Sequence, residues 1–231
     1  MDKILSKHFH NYQTMSEAAN MAVLQMSEKE NIDMSKIIVA TSFCFDELNH
    51  QPGKMNLPAP QGCFIMGGLA GYPFVGEPGL KAFSDHIPDN GAAIFIVGSH
   101  IGVSRKGDFG QVKRVGQQRH TNTCGALMQV QNHLLSTEIH EIEPADYSHY
   151  QPEFLAIRLL PKAEEIRNAP IPILRTTELV YEEIESEMIS LIEQDKTIWG
   201  KFPVYLLGGI VINTDETLPN YFSPKTFRRI V

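Results

Sequence analysis

Cys44, His100 and Cys124 are the residues of this chain whose types are best suited to chemistry. Two thiolates and an imidazole form a soft ligand set that suits Zn2+, and three protein ligands leave a fourth position for water. A site closed by four side chains would be structural, whereas an open one can do chemistry. Asp46 follows Cys44 in the string Ser42-Phe43-Cys44-Phe45-Asp46. In an extended turn, residues i and i+2 can face one side, so this carboxylate can sit beside the metal's water and accept its hydrogen bond or its proton. Each residue also has a plainer role. The cysteines can be small core residues, His100 a hydrogen-bonded rim residue, and Asp46 a turn former. Cys63, between Gly62 and Phe64 with no acid or histidine beside it, fits the plain role best. His8 and His10 have metal-like spacing near the start of the chain, while His50, His86, His120, His133, His140 and His149 have no partner by spacing.

The elements that must position these residues are legible in part. Lys36–Thr41 (KIIVAT) and Ala92–Val97 (AAIFIV) are β-branched or apolar runs of buried-strand type. Phe154–Leu160 and Val204–Ile212 are two more strand candidates, and Gly208-Gly209 in the latter marks a bulge or bend. Met15–Lys29 places Met15, Ala18, Ala19, Ala22 and Val23 at helical spacing. Gly125–Leu135 predicts a helix capped by Thr123, and Glu178–Gln194 a long acidic amphipathic one. Strands separated by helices predict an α/β fold with a mainly parallel sheet and flanking helices. Ligands in such sheets gather beyond the carboxyl ends of the strands. Cys44 falls just after the first strand and His100 just after the second. Cys124 stands at a helix start, where the backbone dipole stabilises a thiolate. The glycine- and proline-rich excursion Asn49–Gly91 reads as a pocket wall or a dimer arm. The basic cluster Arg105, Lys106, Lys113, Arg114 and Arg119 between His100 and Cys124 reads as a solvated loop, or as the source of an arginine that orients Asp46.

Bulk composition narrows the function classes. The formal net charge is −7, which argues against broad contact with nucleic acid or an anionic membrane surface. No apolar run reaches the roughly 18 residues of a membrane span, and the polar stretch Met1–His10 carries no secretory h-region. Three cysteines, an odd count, fit reduced thiols or thiolate ligands in the cytoplasm better than a disulfide framework. The whole chain, 1–231, reads as a single domain.

The strings CFDELN, MGGLAGYPFVGEPGLKAF, HIGV after a strand, and TCGA occur in that order. Together they resemble the limiting-CO2-inducible B (LCIB-like) family, which is related to β-carbonic anhydrases in fold and zinc site. The resemblance covers roughly Lys36–Gln131 by motif and the remainder by element order. It implies a β-carbonic-anhydrase-like homodimer with Cys44, His100 and Cys124 as zinc ligands and Asp46 as the acidic partner of the metal's water. Two departures from β-carbonic anhydrases matter. Those enzymes place the last ligand soon after the histidine, whereas Cys124 follows a long insert, as in LCIB-like proteins. They also carry an arginine two residues after the aspartate, where this chain has Leu48. An arginine from elsewhere must then hold Asp46, with Arg114 and Arg119 ranked above Arg105. The implied chemistry is hydration of CO2 to bicarbonate, with Phe43, Phe45, Leu69 and Tyr72 as candidate pocket walls and the Gly67-Gly68 backbone as candidate anion donor. A zinc protein that is catalytically silent and binds inorganic carbon or a partner, and a zinc hydrolase for a small amide or ester, remain as alternatives.

Overall fold

The structure, a computed structural model, describes residues 1–51, 53–136 and 149–231, and His140 lies outside these. Strands β1 (Gln13–Thr14), β2 (Ile37–Ser42), β3 (Cys63–Ile65), β4 (Ala92–Val103), β7 (Val204–Thr214) and β8 (Tyr221–Arg229) form one sheet in the order β1-β8-β7-β4-β2-β3. The pairs β3–β2, β2–β4 and β4–β7 are parallel, and β7–β8 and β8–β1 are antiparallel. A separate two-stranded ribbon, β5 (Gln111–Val112) with β6 (Thr121–Asn122), occupies the segment after β4.

Helices cover both faces, so the central strands are apolar on both sides rather than alternating. On one face, helix α2 (Met15–Glu30) sets Met15, Ala19, Val23 and Met26 against Val39, Ile94, Ile96 and Leu207. This helix begins at a reciprocal cap: Thr14 Oγ1 accepts the Glu17 N–H, and the Glu17 carboxylate accepts the Thr14 N–H. The other face carries α3 (Gly76–Ser84), α4 (Gly125–Leu135), α5 (Tyr150–Leu159), α6 (Ala163–Asn168) and α7 (Pro172–Gln194), packed on Ile38, Ala40, Phe95, Val97 and Leu206. The short helix α1 (Asp2–His8) closes the far end, where Leu5 meets Ile101 and Ile212.

Three readings of the sequence change here. Phe154–Leu160 is not a strand, since most of it belongs to α5. Its buried residues Leu155, Ala156 and Leu159 follow helical spacing, which a short apolar run does not separate from a strand. The excursion Asn49–Gly91 contains edge strand β3 and helix α3. Helix α4 has Cys124, not Thr123, at its N-cap position and no side-chain cap; Thr123 Oγ1 is buried without a hydrogen-bond partner. The predicted irregularity at Gly208-Gly209 is present as a shift in the β7–β8 register.

Candidate metal centre

His100 lies inside β4, not just after it. The sheet nevertheless ends around it on one side. Pairing of β4 with β2 stops at Ser42 and Val97, whereas pairing with β7 continues to Val103 and Thr214. The last turn of β4 therefore overruns its neighbour, and the chain leaving β2 fills the exposed flank. Gly71 makes that fit possible. It adopts a φ of +94°, and a Cβ there would lie 2.4 Å from the Gly98 carbonyl oxygen and 3.3 Å from the Cys44 nitrogen. Ser42 Oγ donates to the Gly71 carbonyl at 2.8 Å, which ties the two segments together.

Cys124 arrives from the opposite direction. The chain after β4 folds into the β5–β6 ribbon and returns over the strand. The Gly110 N–H reaches the Gly102 carbonyl at 2.8 Å, and the Thr123 N–H reaches the Gly110 carbonyl at 2.9 Å. Gly102 admits Thr123, whose hydroxyl would meet a Cβ at that position. The two sulfurs and one ring nitrogen of Cys44, Cys124 and His100 come within 4.8 Å of one another, and all three residues are buried.

A second layer fixes these candidate ligands. His100 Nδ1 is 2.8 Å from Asn213 Oδ1, so Nδ1 carries the hydrogen. His100 Nε2 is then a lone-pair donor, and it is buried with no hydrogen-bond partner. The Asn213 amide donates to Leu48 O and Asn49 Oδ1, and Asn220 also donates to Leu48 O, at 2.8 Å. Asn49 Nδ2 and His50 Nε2 both reach the Cys44 carbonyl, at 3.3 and 3.0 Å. Sequence reasoning missed Asn49, Asn213 and Asn220. Asn213 could have been suspected as a polar residue closing an apolar strand, but nothing in the string pointed it at His100.

Protonation at the sulfurs is unequal. The Cys44 thiol is lowered to about 4 because it accepts from Cys124, and His100 adds to this against the opposing effect of burial. Cys124 is pushed up as the donor of that bond and by burial. Burial alone would lower His100, but the adjacent Cys44 sulfur and its charge leave it raised. The cluster thus brings two sulfurs and an imidazole together, groups that bind a cation in their deprotonated forms.

Asp46 is held on both oxygens. Oδ1 accepts the Leu48 N–H at 3.0 Å, as a turn-forming aspartate would, and Oδ2 pairs with Arg114 Nη2 at 3.1 Å. Burial raises its proton affinity, partly offset by the Leu48 N–H and by the charges of His100 and Arg114. Arg114 is anchored further by Glu47 at 2.6 Å, Thr121 Oγ1 at 2.7 Å and the carbonyls of Asn122 and Thr123 at 2.8 and 3.2 Å. Arg119 is exposed, and the Arg105 guanidinium instead reaches Thr217 Oγ1.

A cavity of about 430 Å³ opens at this cluster, lined by Cys44, Asp46, Glu47 and Cys124 with Phe45, Leu69 and Ala126. The other wall candidates lie elsewhere. Phe43 is buried on the opposite face among the α2 contacts, because side chains alternate along extended backbone. Tyr72 is buried in an aromatic group with Phe74 and Phe154, and its hydroxyl accepts from Arg158 at 3.0 Å. The Gly68 N–H is spent on the Tyr72 carbonyl at 2.8 Å, and Gly67 lies where a Cβ would strike the Phe43 backbone at 2.1 Å. Both glycines sit where a side chain would clash, and the Gly68 N–H is not free to donate to an anion. Cys63 is half-buried in β3, where burial pushes its thiol up.

Comparison with known proteins agrees with this architecture. The crystal structure of PtLCIB4, a homolog of the limiting CO2-inducible protein LCIB, has 26% sequence identity and a TM-score of 0.88. That match covers 100% of this chain and 96% of the other. The crystal structure of LCIB itself, at 18% identity and a TM-score of 0.70, covers 97% of this chain and 92% of that one and shares the fold. No curated protein sequence matches the chain. Among the described residues, no helix is long and apolar enough to cross a membrane. The family of limiting CO2-inducible proteins B/C, β-carbonic anhydrases, matches residues 13–231, and the chain belongs to it.

Proposed function

We propose that this protein catalyses the reversible hydration of CO2 to bicarbonate, with Zn2+ held by Cys44, His100 and Cys124. The fit of the residues to zinc rests on the orphaned His100 Nε2, buried and within ligand reach of two sulfurs. Such a soft sulfur–nitrogen set favours zinc over magnesium or calcium. When bound, zinc supplies Lewis acidity that makes water nucleophilic near neutral pH. The protein's own groups do the rest. Asp46, on the cavity wall beside both cysteines, accepts a hydrogen from the reacting water and fixes the direction of its lone pair. Phe45, Leu69 and Ala126 give CO2 an apolar surface. Arg114 holds Asp46 through Oδ2.

The Arg114–Asp46 pair carries this reading. A carboxylate beside zinc would bind it unless something else held the oxygen, and Arg114 is such a partner for Asp46 Oδ2. Arg114 thereby answers the absence of an arginine at Leu48. The same observation weighs against the silent alternative, in which Asp46 closes the site. We read the protein further as a cytoplasmic homodimer, in keeping with its exposed Phe45 and Ile65 near the cavity and at the β3 edge. Stopped-flow CO2 hydration by protein with verified metal content tests the activity. A rate above buffer that vanishes in Asp46→Asn with metal retained is expected, and metal-loaded protein no faster than buffer would reject it.

A further inference from the structure

The basic cluster between His100 and Cys124 contributes only Arg114 to the metal centre. Three of its other members converge elsewhere. Arg105, Lys106, Lys113 and His120 line a second cavity, of about 310 Å³, together with Asp215 and Glu216 from the turn after β7. That volume is at the lower end of small-molecule sites, which span about 300–1,000 Å³.

The charges in this cavity do not cancel. Asp215 is consumed by the hairpin backbone: its carboxylate accepts the Arg105 N–H at 2.9 Å and the Lys113 N–H at 2.8 Å, and it faces His120 Nε2 at 3.4 Å. Glu216 pairs with Lys113 Nζ at 3.4 Å. The Arg105 guanidinium meets a neutral hydroxyl, Thr217 Oγ1, and among the described residues Lys106 has no acidic partner. Three cationic side chains thus face two carboxylates in a concave site, and Arg105 and Lys106 have no carboxylate partner there, on a chain whose formal net charge is −7. A planar guanidinium and an ammonium, joined by the Thr217 hydroxyl, match an oxyanion with several acceptor oxygens.

We propose that this cavity binds a phosphate group, free or as a small phosphate monoester. The bound anion spans Arg105 and Lys106 on the turn after β4 and the hydroxyl of Thr217 beyond β7. It therefore cross-links the insert that bears Arg114 to the sheet. The site is separate from the metal cluster, and its assignment does not depend on CO2 chemistry.

Calorimetric titration of the metal-loaded protein with inorganic phosphate, and in a second arm with phenyl phosphate, both at constant ionic strength set by chloride, tests this. One saturable site is expected, weakened about tenfold by Lys106→Ala and by Arg105→Gln. Lys106→Ala changes an exposed side chain and so keeps the test valid if Arg105→Gln folds poorly. Tighter binding of inorganic phosphate identifies the free anion as ligand, and tighter binding of phenyl phosphate identifies a monoester. Absence of saturable binding in both arms overturns the proposal. So does binding that neither substitution weakens, which would locate the anion at the metal instead.

Discussion

The two halves of the candidate metal centre are built by different physics. Cys44 follows β2 and His100 lies within β4, both fixed by buried neutral hydrogen bonds through Asn213, Asn49 and Asn220. Cys124 and Arg114 belong to an insert whose ties are charge-assisted and partly exposed, to Asp46, Glu47 and Asp215. Neutral networks inside a sheet do not respond to salt or to pH near neutrality, whereas ion pairs at a surface respond to both. The sheet half should therefore set metal affinity, and the insert half the orientation of Asp46 and its response to salt.

The largest effects test the ligand set, which both halves supply. Cys44→Ser, His100→Ala and Cys124→Ser should each lower zinc from about one per chain to near zero by elemental analysis, because each removes one of only three protein ligands. Cys63→Ser should leave the content unchanged, since Cys63 sits in β3 outside the cluster. Zinc lost through Cys63→Ser and kept in Cys124→Ser would exclude the insert from the centre.

Next come substitutions that spare the metal. Arg114→Ala should keep zinc and reduce CO2 hydration on the order of 10²-fold, through loss of the group that aims Asp46. Arg119→Ala, at an exposed position, should change the rate less than about twofold. Equal rates in Arg114→Ala and the parent would mean that the insert supplies a ligand and nothing else. In the sheet half, Asn213→Ala should weaken zinc on the order of 10–100-fold in competition with a chelator, since Nδ1 of His100 loses its orienting acceptor. If Asn213→Ala left affinity untouched while Arg114→Ala lowered it, the division of labour would be reversed.

The same division explains what the sequence revealed. Local patterns announce β2, the first half of β4 and α2, because β-branched runs and helical apolar spacing are short-range properties. Cys44, His100 and Cys124 are legible by residue type, and the need for a remote arginine follows from Leu48. The overrun of β4 past β2 is not legible, since it depends on where the neighbouring strand stops. Strand β8 was missed because Pro224 and Lys225 break the pattern. The structure accommodates them because β1 pairs only with Tyr221 and Phe222, which leaves the rest of β8 at an edge. The asparagine network is invisible for a similar reason, as Asn213 and His100 are brought together only by the register of β4 with β7.

The smallest effect concerns the tie between the two halves. Asp215 follows β7, the strand that carries Asn213, and grips the insert at Arg105 and Lys113. Burial would raise its proton affinity, but the Lys113 and Arg105 N–H groups and His120 outweigh it, so its carboxyl lies below the usual aspartate value. A folded-state value below the unfolded one means that the ionised form favours the fold. The stabilisation is complete above the unfolded value near 4 and is lost as pH falls through the lower folded value. Asp215→Asn replaces one acceptor oxygen with an amide that faces an N–H. The expected cost at pH 7 is about 1–2 kcal/mol, or about 2–4 °C in Tm for each kcal/mol in a chain of this size. The gap between parent and variant should shrink as pH drops below about 4, since the parent then carries a neutral side chain too. Thermal melts of both proteins between pH 7 and pH 3 measure it. A gap that stays constant to pH 3 would show that Asp215 acts through shape alone, and that no ionised carboxylate joins the insert to the sheet.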